Sequence, residues 1–522
     1  MKEKFLNKYN KILKENFGYE TLKKEQYKII HNITHRRKDV LAVLATGFGK
    51  SICYQLPFLI SGKCVIVISP LISLMKDQMK QLDDLDIPNC CFNETTNWKN
   101  GLKAEILKGN YKIIYMTPEF CIRNTEFIEK LYEEHEICCF AIDESHCVSQ
   151  WSDISFRPEY GQLHILREIA PEVPIMALTA TASDKIQNDI IKTLKMINTY
   201  KIYSSFDRPN LYIHIDRKTK DINDDLKNIL IKYKDESKII YAKTREMTNK
   251  ISESISKIGI NSLPYHAGLT TEHRASIQSK FMNNEVNTIV ATIAFGMGIN
   301  HKNIRLVVQY GCSNNIESYY QEIGRAGRDG KNSECYMFFS TNDFRLNRYF
   351  LGELQDEEKK KYRESEIVKM EKFVYSTSCR RKIILNHFGE DLEEDCMNCD
   401  NCKKHSSMIE YNFTTYANKL FNVMKKLDNS FGSTQYILVL RGSNSKKITQ
   451  NMKSIKEYNL GKDKSEKWWK EFIRLLIANS FLYEKAIKDG FGSKLIMNSS
   501  AYEMLKNKEE LKLNVGHEFL NL

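Results

Sequence analysis

Short runs of β-branched and other apolar residues alternate with helical patterns through the first two thirds of the chain. Five runs come before residue 180 and four follow it: 39–44, 64–69, 111–116, 137–142, 175–179, 238–242, 288–292, 305–310 and 335–339. Strands of a parallel sheet have this composition because crossover helices bury both faces of the sheet. The alternation therefore predicts two tandem α/β domains, joined near residues 204–210.

The composition excludes several other classes of protein. With only 9 Pro and 23 Gly in 522 residues, the chain is neither collagen-like nor of low complexity. At about 150 residues per domain, this length predicts three or four domains. No run of about 18 apolar residues occurs, so we expect neither a membrane span nor a signal peptide. We expect an intracellular protein whose 14 cysteines are mostly thiols.

A glycine-rich segment directly follows the first apolar run. Residues 45–51 read Ala-Thr-Gly-Phe-Gly-Lys-Ser, and the apolar residues after them suit a helix. The N–H groups of a tight glycine turn at a helix N-terminus cradle phosphate oxygens, while Lys50 can reach the β- and γ-phosphates and Ser51 can bind Mg²⁺. The strict phosphate-loop pattern has glycine at the position of Leu44. The segment predicts a nucleotide site with these further members: Thr46, Gly47, Phe48 and Gly49.

Two carboxylates follow the fourth run. Asp143, Glu144, Ser145 and His146 come directly after residue 142. Ligands of open α/β sheets bind at the carboxyl ends of the strands. We expect Asp143 to hold Mg²⁺ and Glu144 to polarise the attacking water, with His146 in the same catalytic group. Surface carboxylates at a strand end are the alternative, which the phosphate loop in the same α/β unit disfavours.

A third motif lies in the second α/β domain. Residues 321–330 read Gln-Glu-Ile-Gly-Arg-Ala-Gly-Arg-Asp-Gly. An arginine supplied by a second domain stabilises transition-state charge and senses the γ-phosphate. A helix with a flexible glycine-rich end is the alternative, but it leaves both arginines unexplained. We therefore predict Gln321, Arg325 and Arg328 as catalytic residues.

Four cysteines have the spacing of a metal site. Cys396, Cys399 and Cys402 are three residues apart, and Cys379 lies 17 positions before Cys396. Four thiolates satisfy tetrahedral Zn²⁺ and leave no open position, so we predict a structural zinc ion. A redox pair is the main alternative, and His405 is an alternative ligand.

The positive charge is concentrated near the end of the chain. The whole sequence has a net charge of +12, and residues 403–522 contain 21 Lys and Arg against 12 Asp and Glu, a net +9. Clustered positive charge favours a polyanion, because each neutralised phosphate releases counterions. A solvated lysine-rich surface is the alternative.

Together these motifs resemble those of the superfamily 2 helicases and, more closely, of the RecQ family of DNA helicases. The likeness covers about residues 12–510. Further segments match the family in its order: 17–26, 69–78, 116–119, 177–182, 205–210, 265–269 and 291–299. So many ordered matches are far more specific than any one of them.

The resemblance implies adenine contacts in the first matching segment. Tyr19, Lys23 and Gln26 occupy the adenine-contacting positions of the family. Lys23 stands where the family usually has Arg. Because a planar guanidinium stacks better than an ammonium group, we expect relaxed selectivity for the base.

Residues 147–160 resemble the aromatic-rich loop that couples single-stranded DNA contact to ATP hydrolysis in RecQ enzymes. Trp151 and Phe156 can stack on bases, and Arg157 can pair with phosphate. The alternative is burial in the core, which the polar neighbours of these aromatic residues disfavour. Compared with the family, the spacing between Trp151 and Phe156 is one residue longer.

The basic segment resembles the RecQ winged-helix domain, which implies binding of duplex DNA at the fork. Residues 479–484 and 493–497 would form its β-wing. Trp468 and Trp469 are expected in or against its core. Five basic residues are expected to contact phosphates, which positions a duplex without reading its sequence: Arg441, Lys446, Lys447, Lys462 and Lys464.

We therefore predict an α/β protein with two tandem RecA-like motor domains, followed by a helical zinc-binding module and a winged-helix domain. Their predicted boundaries are 1–204, 205–340, 341–408 and 409–515, with a short tail at 516–522.

The resemblance implies an ATP-dependent 3′–5′ DNA helicase that binds ATP, Mg²⁺ and Zn²⁺ and acts on single-stranded and forked duplex DNA, in whichever compartment holds the DNA. Since motor motifs alone do not separate DNA from RNA, an RNA helicase is one alternative. A non-catalytic binder of DNA junctions is the other.

Overall fold

The computed structural model describes residues 2–93, 101–149, 158–293, 295, 301, 303–352, 354–404, 408–486, 493–516 and 519. Contacts within the chain divide it into two compact units. The first unit comprises Met1–Asn210, Leu226–Val307 and Glu317–Ser333. The second comprises Leu211–Asp225, Val308–Ile316 and Glu334–Leu522.

The first unit contains a parallel sheet of seven strands. These are β1 Val40–Val43, β2 Cys64–Ile68, β3 Asn89–Phe92, β4 Ile113–Met116, β5 Ile137–Ile142, β6 Ile175–Thr179 and β7 Tyr200–Tyr203. Their order is β3-β4-β2-β5-β6-β1-β7, and every neighbouring pair runs parallel. The five apolar runs before residue 180 are confirmed as strands, while β3 and β7 were not predicted.

Helices connect these strands and cover the sheet. They are α1 Lys2–Phe17, α2 Lys24–Thr34, α3 Lys50–Ser61, α4 Ile72–Asp83, α5 Leu102–Leu107, α6 Pro118–Arg123, α7 Thr125–Glu134, α8 Pro158–Gly161, α9 Ile165–Ile169 and α10 Asp184–Thr193. Every residue of β1, β2, β5 and β6 is buried, as expected for strands covered on both faces.

Asp39 fixes the amino ends of three strands. Its buried carboxylate accepts hydrogen bonds from both the Ile175 N–H at 2.8 Å and the Ile197 N–H at 2.6 Å. Arg167 donates to the same carboxylate from Nη2 at 2.6 and 2.7 Å. A buried carboxylate is stable only when paired and hydrogen-bonded in this way. Asp39 thus ties together the amino ends of β1, β6 and β7, at the edge of the sheet opposite the phosphate loop.

A second α/β region follows in the chain. Its elements are β8 Leu211–Arg217, α11 Ile222–Lys232, β9 Ser237–Ala242, α12 Arg245–Ser256, β10 Leu263–Tyr265, α13 Thr271–Met282, β11 Thr288–Ala291, β12 Ile304–Tyr310, α14 Ile316–Ile323 and β13 Ser333–Phe339. In the first unit the strand order is β10-β11-β9-β12, and in the second unit it is β12-β13-β8. The four apolar runs after residue 238 are confirmed as strands.

The rest of the second unit is mainly helical. It consists of α15 Thr341–Gly352, α16 Glu357–Tyr375, α17 Arg380–His387, α18 Asp400–Lys404, β14 Met408–Asn412, α19 Thr414–Lys426, α20 Ser433–Leu440, α21 Gln450–Lys453, α22 Glu466–Ala478, β15 Leu482–Ala486, β16 Ser493–Met497, α23 Ser499–Asn507 and β17 Lys512–Gly516. Strands β15 and β16 pair antiparallel, which confirms two paired strands for the predicted β-wing, although β15 begins at Leu482 and not at residue 479. Strand β14 pairs antiparallel with β17.

Aromatic residues fill the core of the last segment. Trp468 and Trp469 are both buried, and the Trp469 Nε1–H donates to the Gly461 carbonyl at 2.8 Å. Phe413 and Phe472 stack in the same cluster, with ring centres 5.0 Å apart. Both tryptophans therefore belong to the core and are not available to a ligand. None of the helices in the described part of the chain is long and apolar enough to traverse a bilayer.

Candidate functional site

The phosphate loop joins β1 to α3, and its glycines are required by its geometry. Gly47 and Gly49 have φ angles of +81° and +94°, a region that L side chains rarely adopt. A Cβ atom on Gly49 would lie 2.8 Å from Nε2 of Gln26. Helix α3 begins at Lys50, so its first N–H groups point to the loop and form an anion site.

The predicted adenine contacts lie beside this loop. The Gln26 side chain donates to the Gly49 carbonyl at 3.0 Å and accepts from the Lys23 N–H at 2.9 Å. The Lys23 ammonium group donates to the Phe48 carbonyl at 3.0 Å and lies 4.2 Å from the centre of the Phe48 ring. Tyr19 is 53% exposed. Lys23 is therefore held by the phosphate loop, and Tyr19 is open to a base.

The two carboxylates stand at the carboxyl end of β5, with Lys50 next to them. Lys50 Nζ lies 3.3 Å from Glu144 Oε1. Burial, together with the charge of Glu144, raises the pKa of Asp143 to about 7. Burial alone would raise the pKa of Glu144, but Lys50 and His146 hold it below its usual value. Near pH 7 Glu144 is therefore the more fully ionised member of the pair.

Glu144 also has an unusual backbone. Its φ of +46° places a non-glycine residue in the left-handed region. Such conformations persist where the surrounding structure holds them and are concentrated at functional sites. This turn directs the Glu144 carboxylate towards the phosphate loop, where it accepts a hydrogen bond from the Lys50 ammonium group.

A chain of hydrogen bonds runs from the carboxylates to the arginine motif. His146 Nδ1 lies 3.4 Å from Glu144 Oε2 and 2.8 Å from the Thr179 hydroxyl. The Thr179 hydroxyl donates to the Thr181 carbonyl at 2.9 Å, and Gln321 Nε2 donates to the Thr181 hydroxyl at 2.9 Å. Burial lowers the pKa of His146, so the ring is neutral near pH 7. These contacts connect Glu144 to residue 321 through neutral groups.

Both arginines of residues 321–330 line the same cavity as the phosphate loop. A Cβ atom on Gly47 would lie 3.4 Å from Cγ of Arg328, so this side chain lies directly over the loop. Burial and then the charges of Arg325 and Arg208 lower the pKa of Arg328 to about 9. Adjacent buried cations are stabilised by an anion placed between them.

These residues enclose one cavity of about 510 Å³. Its lining includes every predicted nucleotide and catalytic residue: Tyr19, Lys23, Gln26, Thr46, Gly47, Phe48, Gly49, Lys50, Ser51, Asp143, Glu144, His146, Gln321, Arg325 and Arg328. Among the described residues, buried Nε2 of His146 and Oγ of Ser145 have no hydrogen-bond partner. Lysine, arginines and a phosphate loop fit a nucleoside triphosphate, and Ser51 with Asp143 supplies the oxygen ligands that Mg²⁺ prefers.

The four predicted zinc ligands converge in the second unit. The Sγ atoms of Cys379, Cys396, Cys399 and Cys402 all lie within 4.8 Å of one another, and those of Cys396 and Cys402 are 3.8 Å apart. Zn–S bonds of about 2.3 Å in a tetrahedron place sulfurs roughly 3.8 Å apart. Backbone N–H groups, including that of Arg380, donate to the sulfurs at 3.4 to 3.5 Å. The donor set therefore fits a closed structural zinc site, and His405 lies outside the described residues.

Four family models match successive parts of the chain. They are the DEAD/DEAH box helicase at residues 23–189, the helicase conserved C-terminal domain at 221–330, the RecQ zinc-binding model at 341–403 and the RQC domain at 407–520. The ATP-dependent DNA helicase RecQ of Haemophilus influenzae is 37% identical over 96% of this chain and 80% of its own. The chain belongs to the RecQ family of ATP-dependent DNA helicases.

Other proteins are similar to this RecQ-family chain. A protein of Acanthamoeba polyphaga mimivirus, named as an ATP-dependent RNA helicase, is 40% identical over 92% of this chain and 89% of its own. The helicase Lhr of Mycobacterium smegmatis has a similar fold, with a TM-score of 0.53 at 14% identity over 96% of this chain and 62% of Lhr. Two tandem RecA-like domains followed by zinc-binding and winged-helix domains are therefore the architecture of the chain.

The predicted DNA contacts of this RecQ-family chain are only partly described. Trp151, Phe156 and Arg157 lie outside the described residues. Arg441 follows the end of α20, and Lys462 is exposed just before α22. The Lys464 ammonium group lies 5.2 Å from the Trp468 ring and 5.4 Å from the Tyr416 ring, which restrains it on the domain surface.

One residue beside the RecQ cavity was missed by sequence reasoning. Arg208 lies in the matching segment 205–210, and within the described part of the chain its side chain donates to backbone carbonyls and to Asn210. Because every residue has a carbonyl, no pattern of residue types marks such partners. Its position in the Asp-Arg-Pro-Asn sequence was the only signal.

Proposed function

We propose that this chain uses ATP hydrolysis to move 3′ to 5′ along single-stranded DNA and to separate the strands of duplex or forked DNA. The observation that carries the proposal is that Lys50, Glu144, Arg325 and Arg328 line the same cavity as the phosphate loop. Those groups are the parts that phosphoryl transfer from ATP to water requires. Family membership supports DNA as the polymer that is unwound.

Each residue has a distinct part in the proposed reaction. The N–H groups of residues 47–51 and the Lys50 ammonium group hold the β- and γ-phosphates. Mg²⁺, held by Ser51 and Asp143, would neutralise phosphate charge. Glu144 accepts a proton from the attacking water, and Arg325 and Arg328 stabilise the charge on the transferred phosphoryl group. Tyr19 and Gln26 orient the adenine.

A helicase must couple ATP hydrolysis to its contacts with DNA. Two regions of the chain would provide this coupling and the DNA contacts. Gln321 touches Thr181, so loss of the γ-phosphate from Arg325 and Arg328 is transmitted to the residues that follow β6. Trp151, Phe156 and Arg157 would contact single-stranded DNA. Arg441, Lys462 and Lys464 would hold the duplex by its phosphates.

The proposal also covers the domain boundaries of the chain and the location of the protein in the cell. We propose functional boundaries at 1–204, 205–340, 341–408 and 409–515, which limited proteolysis of the chain with and without DNA tests. We also propose that the protein acts inside the cell, wherever its DNA is held, which a fluorescent fusion tests.

The decisive experiment is a strand-separation assay with duplexes that carry a single-stranded tail at either end. We expect ATP-dependent separation only with a 3′ tail, and no separation by the Glu144→Gln variant. ATPase activity should rise with single-stranded DNA and much less with RNA of the same sequence. If RNA stimulates the ATPase activity more than DNA does, the protein is an RNA helicase and the proposal is wrong. Tight DNA binding without stimulated hydrolysis would replace it with a junction-binding protein.

A further inference from the structure

Arg208 connects two loops of the cavity without lining it. The residue lies between β7 and β8, in the linker between the two α/β regions. Its guanidinium group donates to the carbonyls of Ala326 at 2.8 Å and Gly327 at 2.9 Å. It also donates to the carbonyls of Thr46 at 3.2 Å and Gly324 at 3.4 Å. One side chain therefore contacts both the phosphate loop and the loop that carries the two arginines.

The two loops touch at the point that Arg208 spans. A Cβ atom on Gly324 would lie 3.0 Å from Cβ of Thr46, so a larger residue at position 324 would crowd the phosphate loop. Arg325 follows Gly324, and Arg328 follows Gly327, so the carbonyls that Arg208 holds alternate with the two cationic side chains. The backbone path of the loop determines where those side chains point. A change in the carbonyl positions would therefore displace both guanidinium groups.

Asn210 completes this arrangement from the same linker. Its side-chain oxygen lies 3.4 Å from Arg208 Nε, and its Nδ2 donates to the carbonyls of Gly327 at 3.0 Å and Lys331 at 2.9 Å. A Cβ atom on Gly327 would lie 2.4 Å from this Nδ2. The carbonyl oxygens around the Arg208 side chain lie in several directions, so a group that bonds all of them must have several N–H donors. The planar, five-donor guanidinium supplies this, and the ammonium group of lysine does not.

We propose that Arg208 is a positioning residue for ATP hydrolysis, which holds Arg325 and Arg328 at the phosphate loop when the cavity is closed. The inference rests on the proposed function and deepens it. Three of the four carbonyls that Arg208 bonds belong to the arginine loop, and the bonds to Ala326 and Gly327 are the shortest of the four. When the cavity opens, the Thr46 contact is the one that breaks, and Arg208 stays with the arginine loop. The linker thus takes part in detecting the nucleotide state.

The test compares binding of ADP alone with binding of ADP plus aluminium fluoride, which imitates the transferred phosphoryl group. The wild type should bind the second much more tightly. Arg208→Ala should leave ADP affinity within about twofold and reduce that gain, together with DNA-stimulated kcat, by on the order of 100-fold. Added guanidinium ion should restore part of kcat, because it refills the position of the lost side chain. Arg208→Lys should behave like Arg208→Ala.

Arg37→Ala is the matched control. Arg37 also donates to two backbone carbonyls, of Cys138 and Glu172, but it does not line the cavity. We expect this variant to match the wild type in every measurement. An Arg208→Ala variant that keeps the gain in affinity and kcat overturns the inference alone. A wild type that binds ADP equally well with and without aluminium fluoride overturns the proposed function and this inference with it.

Discussion

Lys50 and Glu144 face each other across the cavity, with Nζ of the lysine 3.3 Å from Oε1 of the glutamate. Lys50 begins α3, after β1, and Glu144 follows β5. The two strands lie on either side of β6, so the contact depends on parallel strands whose carboxyl ends meet at one edge of the sheet. The pair places the phosphate-binding cation and the proposed base within one hydrogen bond. Their functions are nevertheless separable, because one binds phosphate and the other acts on water.

The first prediction separates these two functions. Lys50→Ala should weaken ATP binding by about tenfold or more, because a charged hydrogen bond to phosphate is lost. Glu144→Gln should keep ATP binding and lower kcat by about 10² to 10⁴, because the amide accepts no proton. Nucleotide titration and DNA-stimulated ATPase assays measure the two effects. Lys63→Ala, which removes a surface ion pair with Glu136, is the control and should change neither quantity. Normal turnover by either Lys50→Ala or Glu144→Gln would contradict the proposed reaction.

The second prediction concerns the base. In this structure Lys23 is bonded to the Phe48 carbonyl and lies against the Phe48 ring, so its charge serves the phosphate loop. Lys23→Arg supplies a planar group that can stack on adenine. We expect the ratio of kcat/KM for ATP to that for GTP to rise by about threefold to tenfold. Lys24→Arg, at the exposed neighbouring position, should leave the ratio unchanged. An unchanged ratio in Lys23→Arg as well would show that residue 23 does not select the base.

The cavity shows which parts of a site can be predicted from sequence. Lys50 and Asp143 were predicted to lie at one site because each follows an apolar run within a few residues and parallel strands bring their carboxyl ends to one edge, and both line the cavity. Local rules of this kind extend only a few residues from each strand. Such rules were sufficient to identify the residues of the phosphate loop and the two carboxylates. The spacing of the four cysteines was sufficient to predict the metal cluster.

Contacts that depend on long-range packing were not predictable. Arg208 meets Thr46 and Gly324 because the linker crosses both loops, and nothing in the residue types fixes that crossing. Lys23 lines the cavity, where an adenine contact stays a prediction, and the bond from its ammonium group to the Phe48 carbonyl had no signal in the sequence. Long, flexible side chains reach several partners, and the choice among them is made by the folded surroundings.

The third prediction tests the zinc site. Cys399→Ser should lower the zinc content from about one ion per chain to about none, because a hydroxyl does not replace a thiolate at a tetrahedral site. Metal analysis by mass spectrometry measures the content, and circular dichroism follows the accompanying loss of stability. Cys121→Ser is the control, because burial raises the pKa of that thiol to about 12 and it lies outside the cluster. If the Cys399→Ser variant retains its zinc, Cys399 is not a zinc ligand.

The fourth prediction concerns a buried ion pair in the second unit. Arg348 in α15 donates from Nη2 to Glu371 in α16 at 2.7 Å, and both side chains are at most 5% exposed. Glu484 in β15 lies 3.8 Å from Arg348 Nη1. Arg348→Met should reduce the free energy of unfolding by about 3 to 5 kcal/mol, because two carboxylates lose their buried partner.

Urea unfolding followed by tryptophan fluorescence measures this change. Adding Glu371→Leu to Arg348→Met should recover part of the lost stability, since one uncompensated charge is removed. Lys360→Met, at a pair in which Lys360 is partly exposed and Glu357 is exposed, should change the stability by less than about 1 kcal/mol. If Arg348→Met proves as mild as Lys360→Met, the buried pair is not a source of stability.

The fifth prediction distinguishes two lysines of the winged-helix domain. Lys462 is exposed and free to follow a phosphate, whereas Lys464 is held over the Trp468 and Tyr416 rings. Each phosphate that a lysine neutralises contributes about 0.9 to the slope of log K against log salt concentration. Lys462→Ala should reduce the slope for blunt duplex DNA by about that amount, and Lys464→Ala by clearly less, because its cation is already engaged by the rings. Fluorescence anisotropy over a range of salt concentrations measures both slopes, with Lys506→Ala on α23 as the surface control. Equal slopes for Lys462→Ala and the control would place the duplex on another face of the domain.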